Sequence, residues 1–314
     1  MTRPFLVLDA SFHQLVSAEA RVERVAGGFI FTEGPVWCGD HLRFSDIPRS
    51  RIVRWQEHPE GPEVTTWRVE RQGAGDGFPR GYCNGMTLDR EDRLIVCGQA
   101  ARRVTRTEHD GSITVLAERY EGKRLNSPND VVVHSGGAVY FTDPPHGLLN
   151  LTEGKELPFQ GVFRWTQANE LVLLTDELTH PNGLAFSPDE SRLYVGDDST
   201  GLIHIFDVAV DGELSNRRIF TETPLPSPLA PDEGPPDGLK VDSVGNLYVG
   251  SIGGVWIFNS AGKPLGIITL PEVAANLAWG GDDWRTLFIT ATTSLYRIRL
   301  QVPGIPVGSA RKAR

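Results

Sequence analysis

PNGLAFSPDESRLYVGD, from Pro181 to Asp197, decides the fold. It reads as an apolar run, a Ser-Pro-Asp-Glu turn and a second β-rich run, which together make a hairpin with a polar amide at its mouth. The same pattern recurs as NGMTLDREDRLIVCG from Asn84, NDVVVHSGGAVYFTD from Asn129 and DGLKVDSVGNLYVGS from Asp237. Looser copies are EGPVWCGDHLRFSD from Glu33 and NLAWGGDDWRTLFITA from Asn276. Successive opening residues lie 51, 45, 53, 55 and 39 positions apart. Short β runs repeating at that period predict an all-β chain folded as a six-bladed β-propeller with four-stranded blades.

Within the fourth copy the predicted strands centre on Leu184–Phe186, Leu193–Val195, Ile203–Val208 and Arg218–Thr221. The fifth copy repeats the arrangement. The sixth stops after its third strand, so Val22 to Ala26 at the N-terminus is expected to supply the missing outer strand of the last blade and close the ring. Helical periodicity is confined to a short segment at Ser11 to Val16. Residues 1–314 read as one domain, with 305–314 expected to be a disordered tail. Long connections fall at Gly61–Tyr82, Gly147–Gln160 and Thr223–Pro236, and the last, rich in proline, is placed beside the site.

Composition narrows the partners. Hydrophobic residues make up 39% of the chain and charged residues 23%, enough apolar mass for a large core. A net charge of -9 argues against a surface built to neutralise phosphates, so no nucleic-acid partner is expected. No window has the apolar length of a membrane span, and the N-terminus lacks the hydrophobic stretch of a signal peptide. Three cysteines are too few for a disulfide scaffold. A soluble, cytoplasmic protein, monomeric or a small homo-oligomer, is the expectation.

A single Asn-Gly or Asp-Gly is ordinarily a turn. Six copies in register change that reading. If each opener begins the innermost strand of its blade, Glu33, Asn84, Asn129, Asn182, Asp237 and Asn276 converge on the central channel at one depth. Two carboxylates and four carboxamides suit Ca²⁺, which takes roughly six to eight oxygen ligands, better than Zn²⁺ with its nitrogen and sulfur preference. Mg²⁺, Mn²⁺ and Zn²⁺ are the alternatives. His146, in FTDPPHGL, is placed at the channel mouth, where it orients substrate or moves a proton. Asp130, Asp143, Asp197 and Asp198 are read as supporting acids, and His134 and His180 are assigned no partner. Nucleophile-elbow, phosphate-loop, HExxH and CxxC patterns are absent, which removes serine-hydrolase and nucleotide chemistry.

FTEGPVW at Phe31–Trp37, FSDIP at Phe44–Pro48, LNSPNDVVV at Leu125–Val133, YFTDPPHGL at Tyr140–Leu148, PNGLAFSPDE at Pro181–Glu190 and PDGLKVD at Pro236–Asp242 together carry a resemblance. The chain resembles the senescence marker protein/gluconolactonase/luciferin-regenerating-enzyme-like family, close to its bacterial gluconolactonase branch. That resemblance implies a divalent metal, most often calcium, held by Glu33, Asn129, Asn182 and Asp237, and a hydrolase that opens a small sugar lactone. Asp237 is then the expected catalytic group, accepting the proton of the attacking water. Asn84, Asn129 and His146 are the expected substrate contacts. Ser127 stands where animal members carry an arginine, so the resemblance fixes the metal site more firmly than the substrate. An esterase or organophosphate hydrolase with the same ion, and a calcium-binding propeller without chemistry, are the alternative readings.

Overall fold

Each of the six copies becomes a twisted antiparallel sheet, because its runs are short, rich in β-branched and aromatic residues, and separated by turn residues. The computed structural model describes residues 5–70, 83–223 and 235–313. In the fourth blade the strands run outward in sequence order, Pro181–Phe186, Arg192–Asp197, Leu202–Val208 and Leu214–Glu222. The other blades follow the same order, and the six sheets form a six-bladed β-propeller. No α-helix occurs among the described residues, and the segment predicted as helical is a 3-10 turn at Ala10–Gln14.

The second strand of a blade is buried on both faces, since a neighbouring blade covers each side. Val139–Asp143, VYFTD, is accordingly buried throughout. Apolar residues collect in six wedges, one between each pair of adjacent blades. The wedge between blades three and four, for example, packs Tyr140 and Val162 against Leu184, Phe186 and Val195. The core is therefore a ring of interfaces, and the centre is left to polar side chains.

Ring closure follows the sequence expectation, shifted by one residue: Glu23–Gly27 pairs antiparallel with Ser294–Arg299 and completes the sixth blade. A second clasp was not legible. Phe5–Val7 adds a fifth strand to blade five by pairing with Pro264–Thr269, and Phe12, fully buried, fills the space between the two clasps. The N-terminal segment thus crosses from the fifth blade to the sixth.

Residues 305–313, read from the sequence as a disordered tail, run across the blades and pack against them. The tail leaves blades five and six through Ser243 N to the Pro303 carbonyl (2.9 Å) and Gly304 N to the Trp284 carbonyl (2.8 Å). It reaches blades two to four as the 3-10 turn Gly308–Ala313, where Ser309 N donates to Asp92 Oδ1 at 2.7 Å. Arg311 donates to the Val133 carbonyl at 2.9 Å and pairs with Glu190 at 2.6 Å. With Ile305, Pro306 and Val307 it closes one end of the channel over an apolar cavity of about 340 Å³. Local composition suggested disorder because each anchor lies on a different blade.

Candidate metal centre and its surroundings

The opening residues stand at the start of the innermost strands. Glu33, Asn182 and Asn276 lie within Thr32–Trp37, Pro181–Phe186 and Ala274–Gly280, while Asn84, Asn129 and Asp237 come two residues before theirs. Three second-strand acids fix the approach to this ring. Asp46 accepts from Ile30 N (3.1 Å), Asp143 from Asn126 N and Ser127 N (2.7 and 2.6 Å), and Asp197 from Thr179 N and His180 N (2.7 and 3.2 Å). Each carboxylate holds the backbone two or three residues before a ring residue. Asp143 and Asp197 are therefore structural, as expected.

Glycine after the opener has a different reason from the turn that the dipeptide suggests. A Cβ on Gly34 would collide with the Asn84 carbonyl, on Gly85 with the Asn129 carbonyl, and on Gly183 with the Asp237 carbonyl. Neighbouring blades meet backbone to backbone at these points, and Gly85 N donates to the Asn129 carbonyl at 2.8 Å. Such an approach admits no side chain.

Above the ring lies a cavity of about 450 Å³ lined by Glu33, Asn84, Asn129, Asn182 and Asp237, with His146, Gln99 and Asp198 beside them. Five of the six openers thus share one space. Asn276 sits outside it and supports the ring, donating to Glu33 Oε2 at 2.9 Å. The carboxamides form a relay in which Asn84 Nδ2 donates to Asn129 Oδ1, Asn129 Nδ2 to Asn182 Oδ1, and Asn182 Nδ2 to Asp198 Oδ2. Gln99 Nε2 adds a bond to Asn129 Oδ1 at 2.9 Å. Beneath, Asp130 accepts from Asn276 Nδ2 at 3.5 Å, with the Lys240 ammonium 3.9 Å away.

Charge in this space is unbalanced. Burial first, and then the neighbouring Asp130 carboxylate, push Glu33 up to about 7. Asp237 is raised well above the usual carboxylate range by its enclosure and then by Glu33, Asp198 and Asp130, although its side chain retains some access to the cavity. Among the described residues the Lys240 ammonium meets the group, 3.9 Å from Asp130 Oδ2 and 3.3 Å from Asn276 Oδ1. Oxygen donors crowded with like charge in a buried space fit a hard divalent cation, which would relieve the repulsion.

His146 stands at the rim, as expected, with Nε2 2.6 Å from Asp198 Oδ2. His180, assigned no partner from the sequence, places Nδ1 3.4 Å from Asp198 Oδ1. His134, likewise assigned none, accepts from Gly136 N and lies 3.4 Å from Glu190 at the far end of the channel. Burial works against the charged form of Asp198, but hydrogen bonds from His146 and His180 hold it at about 2. Asp198 lines the cavity and, by accepting from Asn182, also supports a ring residue. A signal for it existed: Gln99 and Asp198 each follow the last residue of a second strand, Leu94–Gly98 and Arg192–Asp197, so both are polar at one blade position. Lys240, between Leu239 and Val241 on an innermost strand, could have been found from the alternation. Residues 71–82 and 224–234 of the long connections lie outside the described residues, and Pro235 lines the cavity.

Residues 31–293 match the family described as SMP-30/Gluconolactonase/LRE-like region. The chain belongs to this family. Within it, the chain is 33% identical over 306 residues to a gluconolactonase of Zymomonas mobilis, covering 92% of this chain and 84% of that one. A solved gluconolactonase from Xanthomonas campestris superposes with a TM-score of 0.81 at 34% identity, covering 95% of each chain. A pentonolactonase of Haloferax volcanii is 27% identical over 268 residues, covering 82% of this chain and 80% of that one. The family placement and the six-bladed fold agree with the reading of the repeats. No helix among the described residues is long and apolar enough to cross a membrane.

Proposed function

We propose that this chain is a lactonase, a carboxylic ester hydrolase that opens a small sugar lactone with the help of a divalent cation. The observation that carries the reading is the meeting of Glu33 and Asp237, two crowded carboxylates, with Asn129 and Asn182 at one polar cavity. Relatives named gluconolactonase and pentonolactonase support the reaction class and the substrate type.

Glu33, Asn129, Asn182 and Asp237 would hold the cation, with Ca²⁺ first on donor type. When bound, such an ion supplies Lewis-acid polarisation of the lactone carbonyl, worth several kcal/mol in the transition state. The chain's own groups do the rest. Asp237 reaches the cavity and takes the proton of the attacking water. Asn84 and His146 line the same space and hydrogen-bond the sugar hydroxyls, while Gln99 holds Asn129 in its rotamer. The carboxamides of Asn84, Gln99, Asn129 and Asn182 in the cavity wall offer hydrogen bonds to a polyhydroxylated ring, with Phe31, Ile47, Pro48 and Pro235 forming its apolar part.

The test is acid release from a panel of aldono-1,4- and 1,5-lactones, followed with a pH indicator. Asp237→Asn and Glu33→Gln, with the fold retained, are expected to lose at least about 100-fold in kcat/KM. Chelation is expected to abolish turnover and added Ca²⁺ to restore it. Full turnover after exhaustive dialysis against chelator would remove the metal from the account.

A further inference from the structure

A second group of metal-ligating side chains stands beside the ring and is chemically unlike it. His146 follows the second strand of blade three, His180 precedes the innermost strand of blade four, and Asp198 follows that blade's second strand. Their ligand atoms all lie within 4.8 Å of one another. We propose that His146, His180 and Asp198 form a second divalent-metal site, of the kind that takes Zn²⁺, at the mouth of the ring cavity.

Donor type separates the two sites. The ring offers carboxylate and carboxamide oxygens, whereas this group offers two imidazole nitrogens and one carboxylate oxygen, the set that Zn²⁺ uses where a fourth position is left to water or substrate. His146 and Asp198 line the cavity, so that fourth position faces the space where the ring residues converge.

The group is also prepared in advance. His180 N donates to Asp197 Oδ1 at 3.2 Å, and Asp198 N donates to the His180 carbonyl at 3.1 Å, so the two ligand-bearing segments are tied to each other through the backbone. Asn182 Nδ2 holds the Asp198 carboxylate at 2.9 Å, the role that outer hydrogen bonds play around metal ligands. The imidazole rings meet edge to face, with centroids 5.3 Å apart and planes at 84°, so neither ring stacks over the other. The 3.4 Å between His180 Nδ1 and Asp198 Oδ1 is about the separation of two ligands on one tetrahedral ion at 2.0–2.1 Å. The 2.6 Å between His146 Nε2 and Asp198 Oδ2 is a close ion-pair contact that lengthens when the proton gives way to the ion.

The test uses the full chain, stripped with chelator, saturated with Ca²⁺ to fill the ring, and titrated with Co²⁺ as a visible probe and with Zn²⁺ in competition. One equivalent is expected to bind with the intense visible bands of a low-coordinate site bearing nitrogen ligands, and Zn²⁺ is expected to displace it. His180→Ala and His146→Gln are each expected to weaken that equivalent at least about tenfold, while Glu33→Gln retains it. Thermal melts confirm that the variants fold, and two variants on separate loops guard against the failure of one. Absence of a Co²⁺ equivalent in the Ca²⁺-saturated protein, or unchanged spectra in both histidine variants, overturns the proposal and leaves the three side chains as a hydrogen-bonded cluster. The ring's own failure reads differently, as lactone turnover that survives Glu33→Gln.

Discussion

Glu33 is buried beside Asp130 and close enough to Asp237 for their charges to interact, an arrangement that costs stability whenever no cation is bound. Its folded-state pKa, about 7 against an ordinary 4.5, means that the folded chain holds a proton which the unfolded chain has released. Between those values the unfolded state binds fewer protons, so stability falls as pH rises through the window. The ion-free protein is therefore expected to melt at a lower temperature at pH 8 than at pH 5.5. Glu33→Gln should recover roughly 1–3 kcal/mol at pH 8, while losing the stabilisation by added Ca²⁺ that the proposed ring site predicts for the wild type. Equal melting at both pH values, with the ion removed, would show that burial and the neighbouring Asp130 carboxylate do not hold a proton on Glu33. Residue identity at the ring was legible because six openers recur in register. Gln99 and Lys240 escaped the sequence reading, and Asp198 was legible only as a supporting acid, since each reaches the site through its place on a blade.

Blades meet the axis through backbone contacts, and the glycine after the opener is what permits them. Gly183→Ala would drive a methyl group into the Asp237 carbonyl, and no flexible side chain is available to yield. A loss of roughly 1–3 kcal/mol is expected, with kcat/KM reduced as well, because Asn182 and Asp237 flank the contact and both would shift. Gly196→Ala is the control, since its nearest neighbour outside the adjoining residues is the Gly183 carbonyl at 3.8 Å, an ordinary contact. Its melting is expected to stay within about 1 kcal/mol of the wild type, and equal losses in the two variants would refute the argument. The dipeptide misleads at this scale because turn geometry and close approach favour the same residue. Hairpins and strand order were legible, since they depend on local alternation. The fifth strand Phe5–Val7 was not, for three residues carry no period and their partner lies 261 positions away, at Ile267 opposite Leu6.

Across the whole molecule the two channel ends differ. One carries the polar ring; the other is closed by the C-terminal tail over Val131, Val133, Ala185, Phe186 and Val241. The tail escaped the sequence reading because its anchors, Trp284, Asp92, Val133 and Glu190, are brought together only when the ring closes. Its apolar residues cover the innermost strands, so its contribution is to hold all six blades at fixed spacing. Truncation after Leu300 is expected to lower stability by roughly 2–4 kcal/mol, from re-exposure of the surfaces under Ile305, Pro306 and Val307. Activity should respond less. The ring cavity proposed to take the lactone lies at the opposite end, so kcat/KM in Ca²⁺ below the melting range is expected to remain within about threefold of the full-length value. Thermal melts and the lactone assay on one preparation check both halves. An unchanged melt would mean that the tail is not held by its anchors, whereas loss of turnover in a still-folded truncation would mean that the plug positions the ring residues through the innermost strands.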